Sequence, residues 1–229
     1  AVDPLEGTNF AAYNLPGALS VIAIAEKNNL FKAPETYMEK ISTKVKEKNV
    51  VDLDYSIKKN ISNLSDYLNK SPENLTACIL DRPRHSQIIQ ELKKLNVNIK
   101  LITDGDVSGA LLVSEDEYNV DIFLGIGGGP EGVLAAAALD AFECNFQGRF
   151  LFDNNDDKIR AKKMGIKDFN RKYEINEIVS GDSIFCATGI TTGDLVSGIK
   201  IDGKNFISET LVTHKSTGLK NKIKLTKKI

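Results

Sequence analysis

Asp3-Pro4-Leu5-Glu6-Gly7-Thr8 places two carboxylates three residues apart around a proline-fixed turn. That spacing lets both acids face one side and share divalent cations, and ligation by oxygen alone suits Mg²⁺ or Mn²⁺. Gly7 would let the backbone approach a bound phosphate, and the Thr8 hydroxyl is suited to hold an attacking water. The string reads equally as a tight Asp-Pro and Gly turn leading to a helix cap, and spacing alone leaves both readings open.

Further along, Gly127-x-Gly129-x-x-Gly132 stands between an expected strand and an expected helix, with Asp153 about twenty residues on, which fits a dinucleotide-binding fingerprint. Against that, Pro130-Glu131 puts a carboxylate on the first helical turn, where a pyrophosphate would be repelled. A bridging metal removes the conflict. Arg82 and Arg84 flank Pro83 at a strand end, as a guanidinium fork for phosphate or as ordinary surface charges. His85 follows, with a helix-start hydrogen bond favoured over a general-base role, and His214 on a late strand reads as structural. Asp104-Gly105-Asp106 before an apolar run reads as a helix N-cap. No Cys or Ser stands in a nucleophile motif.

The elements that must position these residues alternate in type. Ala18–Lys27 reads as a strand ending at Asn28-Asn29, a hairpin signal into a second strand at Tyr37–Lys44. Ile57, Ile61, Leu64 and Leu68 fall at helical spacing, so a helix should cover that sheet. Strands are expected at Leu75–Leu80, Val97–Ile102 and Val120–Ile126, with helices at Ser86–Leu95, Val107–Ser114 and Glu131–Phe142. Such alternation implies parallel strands, and ligands gather at their carboxyl ends. The loops Asp81–His85, Thr103–Asp106 and Gly127–Glu131 all follow strands. Asp153–Lys163 looks like a polar, exposed helix, while Ser183–Ala187 and Phe206–His214 are strand-like. The basic run Lys215–Lys228 alternates with Ile223 and Leu225 in the manner of a half-solvated edge strand.

With 41% hydrophobic and 27% charged residues, 229 residues suffice for one large domain or two modest ones, and disorder is excluded as the general state. A net charge of −1 offers no basic field for nucleic acid, so phosphate must bind at a local site. Cys78, Cys144 and Cys186 are scattered through apolar surroundings, as reduced core thiols in a cytoplasmic protein would be. The apolar run Val133–Phe142 is too short to span a membrane. No signal-peptide pattern is read, and the start at Ala1-Val2-Asp3 without Met suggests a fragment.

The opening string resembles the Asp-Pro-(Ile/Leu)-(Asp/Glu)-Gly-(Ser/Thr) signature of the lithium-sensitive, metal-dependent sugar and inositol phosphatases. Glu6 and several blocks in family order point to the class II fructose-1,6-bisphosphatases of the glycerol-regulon type. Those blocks are Ala33-Pro34-Glu35-Thr36-Tyr37-Met38-Glu39-Lys40, Arg82-Pro83-Arg84-His85, Asp104-Gly105-Asp106-Val107, Gly125 to Gly132, and Ala187-Thr188-Gly189-Ile190 with Gly193-Asp194. They cover nearly the whole chain.

The resemblance implies an α/β fold, a layered α/β/α/β/α sandwich whose first sheet is incomplete because the N-terminus is missing. Residues 1–52 would be the remainder of an N-terminal metal-binding α+β subdomain, and 53–229 a C-terminal α/β subdomain completing the substrate site. It further implies Mn²⁺ or Mg²⁺ on Asp3, Glu6 and Glu131, with Asp3, Glu6 and Thr8 catalytic. Glu6, Gly7, Thr8, Tyr37, Arg82, Pro83, Arg84, Asp104, Gly105, Asp106 and Gly128 would meet the substrate. The implied reaction is hydrolysis of the 1-phosphate of fructose 1,6-bisphosphate in gluconeogenesis and glycerol metabolism, with sedoheptulose 1,7-bisphosphate as an alternative substrate. A cytoplasmic homo-oligomer, dimer or tetramer, is expected, with no nucleic-acid or membrane partner. Relatives carry further ligands upstream, so the fragment alone is expected to be inactive or nearly so.

Overall fold

Strands that bury apolar side chains on one face or on both build two sheets, and a computed structural model describes residues 1–228. The chain runs β1 (Val2–Glu6), α1 (Thr8–Ala12), β2 (Leu19–Ala25), β3 (Tyr37–Thr43), α2 (Ile57–Leu68), β4 (Thr76–Leu80), α3 (Ser86–Lys94) and β5 (Asn98–Ile102). It continues with α4 (Asp106–Leu111), β6 (Ile122–Gly128), α5 (Gly129–Ala141), β7 (Asn145–Leu151), α6 (Asn155–Lys163), β8 (Lys172–Glu174) and α7 (Ile175–Ile178). The last strands are β9 (Ser183–Gly189), β10 (Lys200–Asp202), β11 (Asn205–His214) and β12 (Leu219–Lys228).

The first sheet is antiparallel in the order β1-β2-β9-β11-β10, with β12 along the other edge of β11. The second has the order β5-β4-β6-β3-β7-β8; β4 is parallel to β5 and β6, while β3 runs against both β6 and β7. Because side chains alternate across a strand, Met38, Cys78, Phe123, Phe146 and Phe150 face inward, toward the first sheet's Leu19, Val21, Phe185 and Ala187. Their neighbours Ile41, Ala77, Ile122 and Leu124 face the opposite way, onto Ile61 and Leu64 of α2 and Leu92 of α3.

Between the sheets lie α4 and α5. The sequence of α5, GPEGVLAAAALDA, is apolar around its whole circumference, which is what a helix packed between two sheets requires. Its run Ala135–Ala138 lets both sheets approach closely, and burying Leu134 and Leu139 contributes about 1.5–3 kcal/mol each. The layers are therefore sheet, helix, sheet, helix, an α/β sandwich. Among the described residues no helix is long and apolar enough to cross a membrane.

Several expectations need correction. The Asn28 turn is real, with a left-handed φ of 72°, but no hairpin follows: β2 lies in the first sheet and β3 in the second. A turn signal reports a change of direction and says nothing of which strand pairs next. Accordingly α2 covers β3 but not β2. The strand β12 exists, yet every one of its residues is exposed, so it is solvated on both faces. Cys78 and Cys144 are buried and Cys186 only partly, all as free thiols. Strand β7 was not foreseen, because Gly148 and the polar Asn145, Gln147 and Arg149 mask the inward alternation of Phe146 and Phe150.

Candidate functional site

The end of the sandwich where β4, β5 and β6 finish also receives the start of α4, the start of α5 and the end of β1. The loops meeting there enclose a cavity of about 210 Å³. Its walls include Asp3, Glu6, Gly7, Thr8, Arg82, Arg84, Asp104, Asp106, Gly128 and Glu131. Asp3, Glu6 and Glu131, distant in the chain, thus share one cavity. Pro83 and Gly105 are not on its wall. Pro83 begins the single helical turn between Arg82 and Ser86, and Gly105 is the N-cap of α4. Leu5 and Leu80 line the cavity without having been foreseen, and Gly127 lines it as part of the expected glycine loop. Tyr37 borders a neighbouring cavity that shares Gly128, and the Arg84 guanidinium lies 4.9 Å from its ring centroid.

Glu6 is the most deeply placed acid, only 3% exposed. Its Oε1 accepts the Val107 N–H at 2.8 Å, so β1 caps α4 from a distance of a hundred residues in sequence. Burial, with the like charges of Asp106 and Asp3 added, raises its pKa to about 8. Burial likewise raises the pKa of Glu131, with Asp106 and Asp3 adding to the effect and Lys40 opposing it. Oε2 of Glu6, Oδ1 of Asp106 and Oε2 of Glu131 are buried with no hydrogen-bond partner. Buried acid oxygens left unpaired are costly.

The glycines of the loop serve these acids. A Cβ on Gly127 would stand 2.3 Å from Asp106 Oδ2, and one on Gly128 only 1.8 Å from Glu131 Oε2. The room a dinucleotide pyrophosphate would need is thereby filled with carboxylate, and the dinucleotide reading is set aside.

Neither Asp104 nor Asp106 is the N-cap expected of them, since Gly105 holds that position. Asp104 instead accepts the Asn9 N–H at 3.0 Å, tying the β5 loop to α1, and stands 3.8 Å from Arg82. Asp3 accepts the Leu5 N–H at 3.0 Å, and Thr8 is exposed on the first turn of α1. Arg84 donates through Nε to the Ile126 carbonyl at 2.9 Å. His85 makes no helix-start bond. It is fully buried, with Nδ1 on the Leu80 carbonyl at 2.7 Å and Nε2 accepting the Ile126 N–H at 2.8 Å. Burial lowers its pKa, as suits the neutral imidazole this geometry demands.

Lys40 on β3 closes one of the blocks that carry the resemblance but is absent from the expected site residues. It is buried and donates to Asp106 at the rim of the cavity. Its sequence signal was a lysine on the inward, otherwise uncharged register of Met38 and Ser42. His214 is structural, as expected. Ser216 and Asp182 both bond its Nε2, at 3.1 and 2.8 Å, while Nδ1 meets Thr217. A relay needs the serine and the acid on different ring nitrogens, so this trio only braces the β11–β12 turn.

The sequence profile described as bacterial fructose-1,6-bisphosphatase, glpX-encoded, matches residues 1–227. The chain belongs to this family. Similar curated proteins carry the name D-fructose 1,6-bisphosphatase class 2/sedoheptulose 1,7-bisphosphatase. The one from Trichodesmium erythraeum is 37% identical over 93% of this chain, and that from Synechocystis is 39% identical over the same share. The Microcystis aeruginosa protein is 39% identical over 87% of the chain. The matches cover 62–65% of those relatives' own length, so the chain spans less than two thirds of each.

The resemblance of the opening motif supplies the metal expectation, and the residues present bear on it. The unpartnered, buried carboxylate oxygens of Glu6 and Glu131 at one cavity form an oxygen donor set that a hard cation would satisfy, and the unpartnered oxygen of Asp106 stands at the same cavity. The set is open: among the described residues no three acidic, His or Cys side chains converge closely enough to hold an ion by themselves. Glu6 is partly committed to Val107 and Asp106 to Lys40. A cation here would keep ligands beyond these carboxylates, as Mg²⁺ and Mn²⁺ sites commonly do with water and phosphate.

Proposed function

We propose that the chain carries the phosphate and sugar site of a metal-dependent sugar-bisphosphate phosphatase acting on the 1-phosphate of fructose 1,6-bisphosphate. The observation that carries this reading is the pairing, in one cavity, of unpartnered acid oxygens on Glu6 and Glu131 with the guanidinium groups of Arg82 and Arg84. A phosphate brings the negative oxygens the arginines lack, and a divalent cation brings the positive charge the acids lack.

Asp3, Glu6 and Glu131 would hold Mn²⁺ or Mg²⁺. Bound there, the cation supplies charge to phosphoryl oxygens and lowers the pKa of a water. The chain's own residues do the rest. Arg84, its Nε anchored on Ile126, presents its remaining N–H groups to a phosphate, with Arg82 beside it. Thr8, exposed at the start of α1 beside Glu6, offers a hydroxyl that orients the attacking water along the phosphorus axis. Asp104 and Asp106 accept hydroxyl protons of the sugar and so fix which end of it enters. No side-chain nucleophile is needed.

Sedoheptulose 1,7-bisphosphate is the second substrate, since it presents the same end to these groups and the relatives' names carry both activities.

Thermal melting of the chain tests the reading. Mn²⁺ with fructose 1,6-bisphosphate at a hundredfold excess over Kd should add about 2.7 kcal/mol, or about 5–10 °C at this size. Glu131→Gln should lose the Mn²⁺ contribution, and NAD should have no effect. Stabilisation by NAD together with indifference to Mn²⁺ would overturn the assignment.

A further inference from the structure

Lys40 sets its ammonium behind the wall of an acidic site, on the lining residue Asp106. Its side chain has no exposure, and its ammonium donates to Asp106, itself 11% exposed. The stem is confined: a Cβ on Gly132, in the first turn of α5, would stand 3.0 Å from Lys40 Cε. A buried ammonium without an acid partner is expensive, so the bond to Asp106 is obligatory rather than one option among several. Asp106 is fixed in turn, because its carboxylate fills the space above Gly127. One of its oxygens is taken by Lys40, and the other, Oδ1, is buried and without a partner.

This arrangement divides the acids of the site into two kinds. Asp106 carries a bound cation already, and a divalent ion brought to it would stand against the Lys40 charge at low effective dielectric. A hydroxyl donating to Oδ1 meets no such repulsion. Glu6 and Glu131 have no cationic hydrogen-bond partner, and Lys40 acts on Glu131 only through space, without the direct bond it makes to Asp106. We propose that Lys40 is a positioning residue that reserves Asp106 for the sugar, keeping it out of the metal set and leaving the divalent cations to Asp3, Glu6 and Glu131. The inference rests on the phosphatase reading above and adds to it the rule by which neighbouring carboxylates are shared between metal and substrate.

Calorimetric titration of the whole chain with Mn²⁺, without substrate, tests it in four proteins: the parent, Lys40→Met, Asp106→Asn and the double variant. Lys40→Met frees a charged carboxylate and removes a positive charge, so Mn²⁺ should bind about tenfold tighter, roughly 1.4 kcal/mol. Asp106→Asn should leave Mn²⁺ affinity within about twofold of the parent, and the double variant should cancel the gain of the first. Fructose 6-phosphate should bind about tenfold more weakly to both single variants, because each disturbs the same acceptor. A purely structural ion pair would lower stability without tightening Mn²⁺ binding.

Unchanged or weaker Mn²⁺ binding by folded Lys40→Met overturns the inference, as does a tenfold loss in Asp106→Asn. Should Lys40→Met fail to fold, Asp106→Asn decides alone: retained Mn²⁺ affinity with weakened sugar binding supports the division, and lost Mn²⁺ affinity refutes it. A parent chain that binds no Mn²⁺ removes the phosphatase reading as well, whereas a parent that binds with Lys40→Met unmoved removes only this step.

Discussion

Glu6 serves two purposes that pull against each other. It caps α4, and the proposed cation site requires it ionised, yet burial holds its pKa near 8. The folded pKa lies above the ordinary 4.5, so the metal-free fold keeps a proton that the unfolded chain releases. Stability from this group is complete below pH 4.5 and is lost as pH rises toward 8, at no more than about 1.4 kcal/mol per pH unit. Urea unfolding of the metal-free chain between those limits should show the decline, and Glu6→Gln should flatten it. Saturating Mn²⁺ should also remove it by displacing the proton. Gly128 is the complementary case, a residue chosen for what it lacks. Gly128→Ala drives a methyl into Glu131 Oε2 and displaces that carboxylate. We expect about 1–3 kcal/mol of overpacking, read by denaturation, and loss of the Mn²⁺ thermal shift.

Between elements, the weak point is the junction of β4 and β6. Their parallel pairing stops at Cys78 and Phe123, and the strands then part to make the cleft. His85 spans the gap from Leu80 to Ile126, and Arg84 holds the other side of the same Ile126 residue. The arm that offers guanidinium groups and the loop that carries Glu131 are therefore fixed to each other by one imidazole and by the Arg84 bond to the Ile126 carbonyl. His85→Ala should cost about 2–4 kcal/mol in denaturant unfolding, from an unpaired N–H and a cavity. Its depressed pKa gives the opposite pH sign to Glu6. Stability from His85 is present above pH 6.5 and falls as pH drops below it, because the unfolded chain takes up the proton first. The acid limb should diminish in His85→Ala.

Across the molecule, order is graded from the middle outward. β3 is paired on both edges, by β6 and β7, and packed on both faces, whereas β12 is exposed throughout and paired on one edge alone. Hydrogen exchange should accordingly be slowest in β3 and β6 and fastest in β12. The reverse order would mean that the central sheet is not the stable unit. The site sits where the most protected strands end, so its acids rest on the part of the molecule least free to open. Lys40 belongs to β3 itself, which gives the proposed division of carboxylates a rigid base.

Much of this was legible in the sequence because it is local. The 3.6-residue spacing of Ile57, Ile61, Leu64 and Leu68 and the apolar circumference of α5 report burial directly. The opening acids, the arginine pair and the glycine loop were each open to a second reading by spacing alone, and it was their resemblance to one family, block by block in order, that joined them into a site. Tertiary structure decided what depends on encounters between distant segments. That Asn28 leads to another sheet, that Glu6 caps Val107, that His85 joins Leu80 to Ile126 and that Lys40 claims Asp106 are contacts spanning many residues. No periodicity encodes such pairs, because the energy that selects them comes from burying charge and satisfying hydrogen bonds once the sheets have closed over α5.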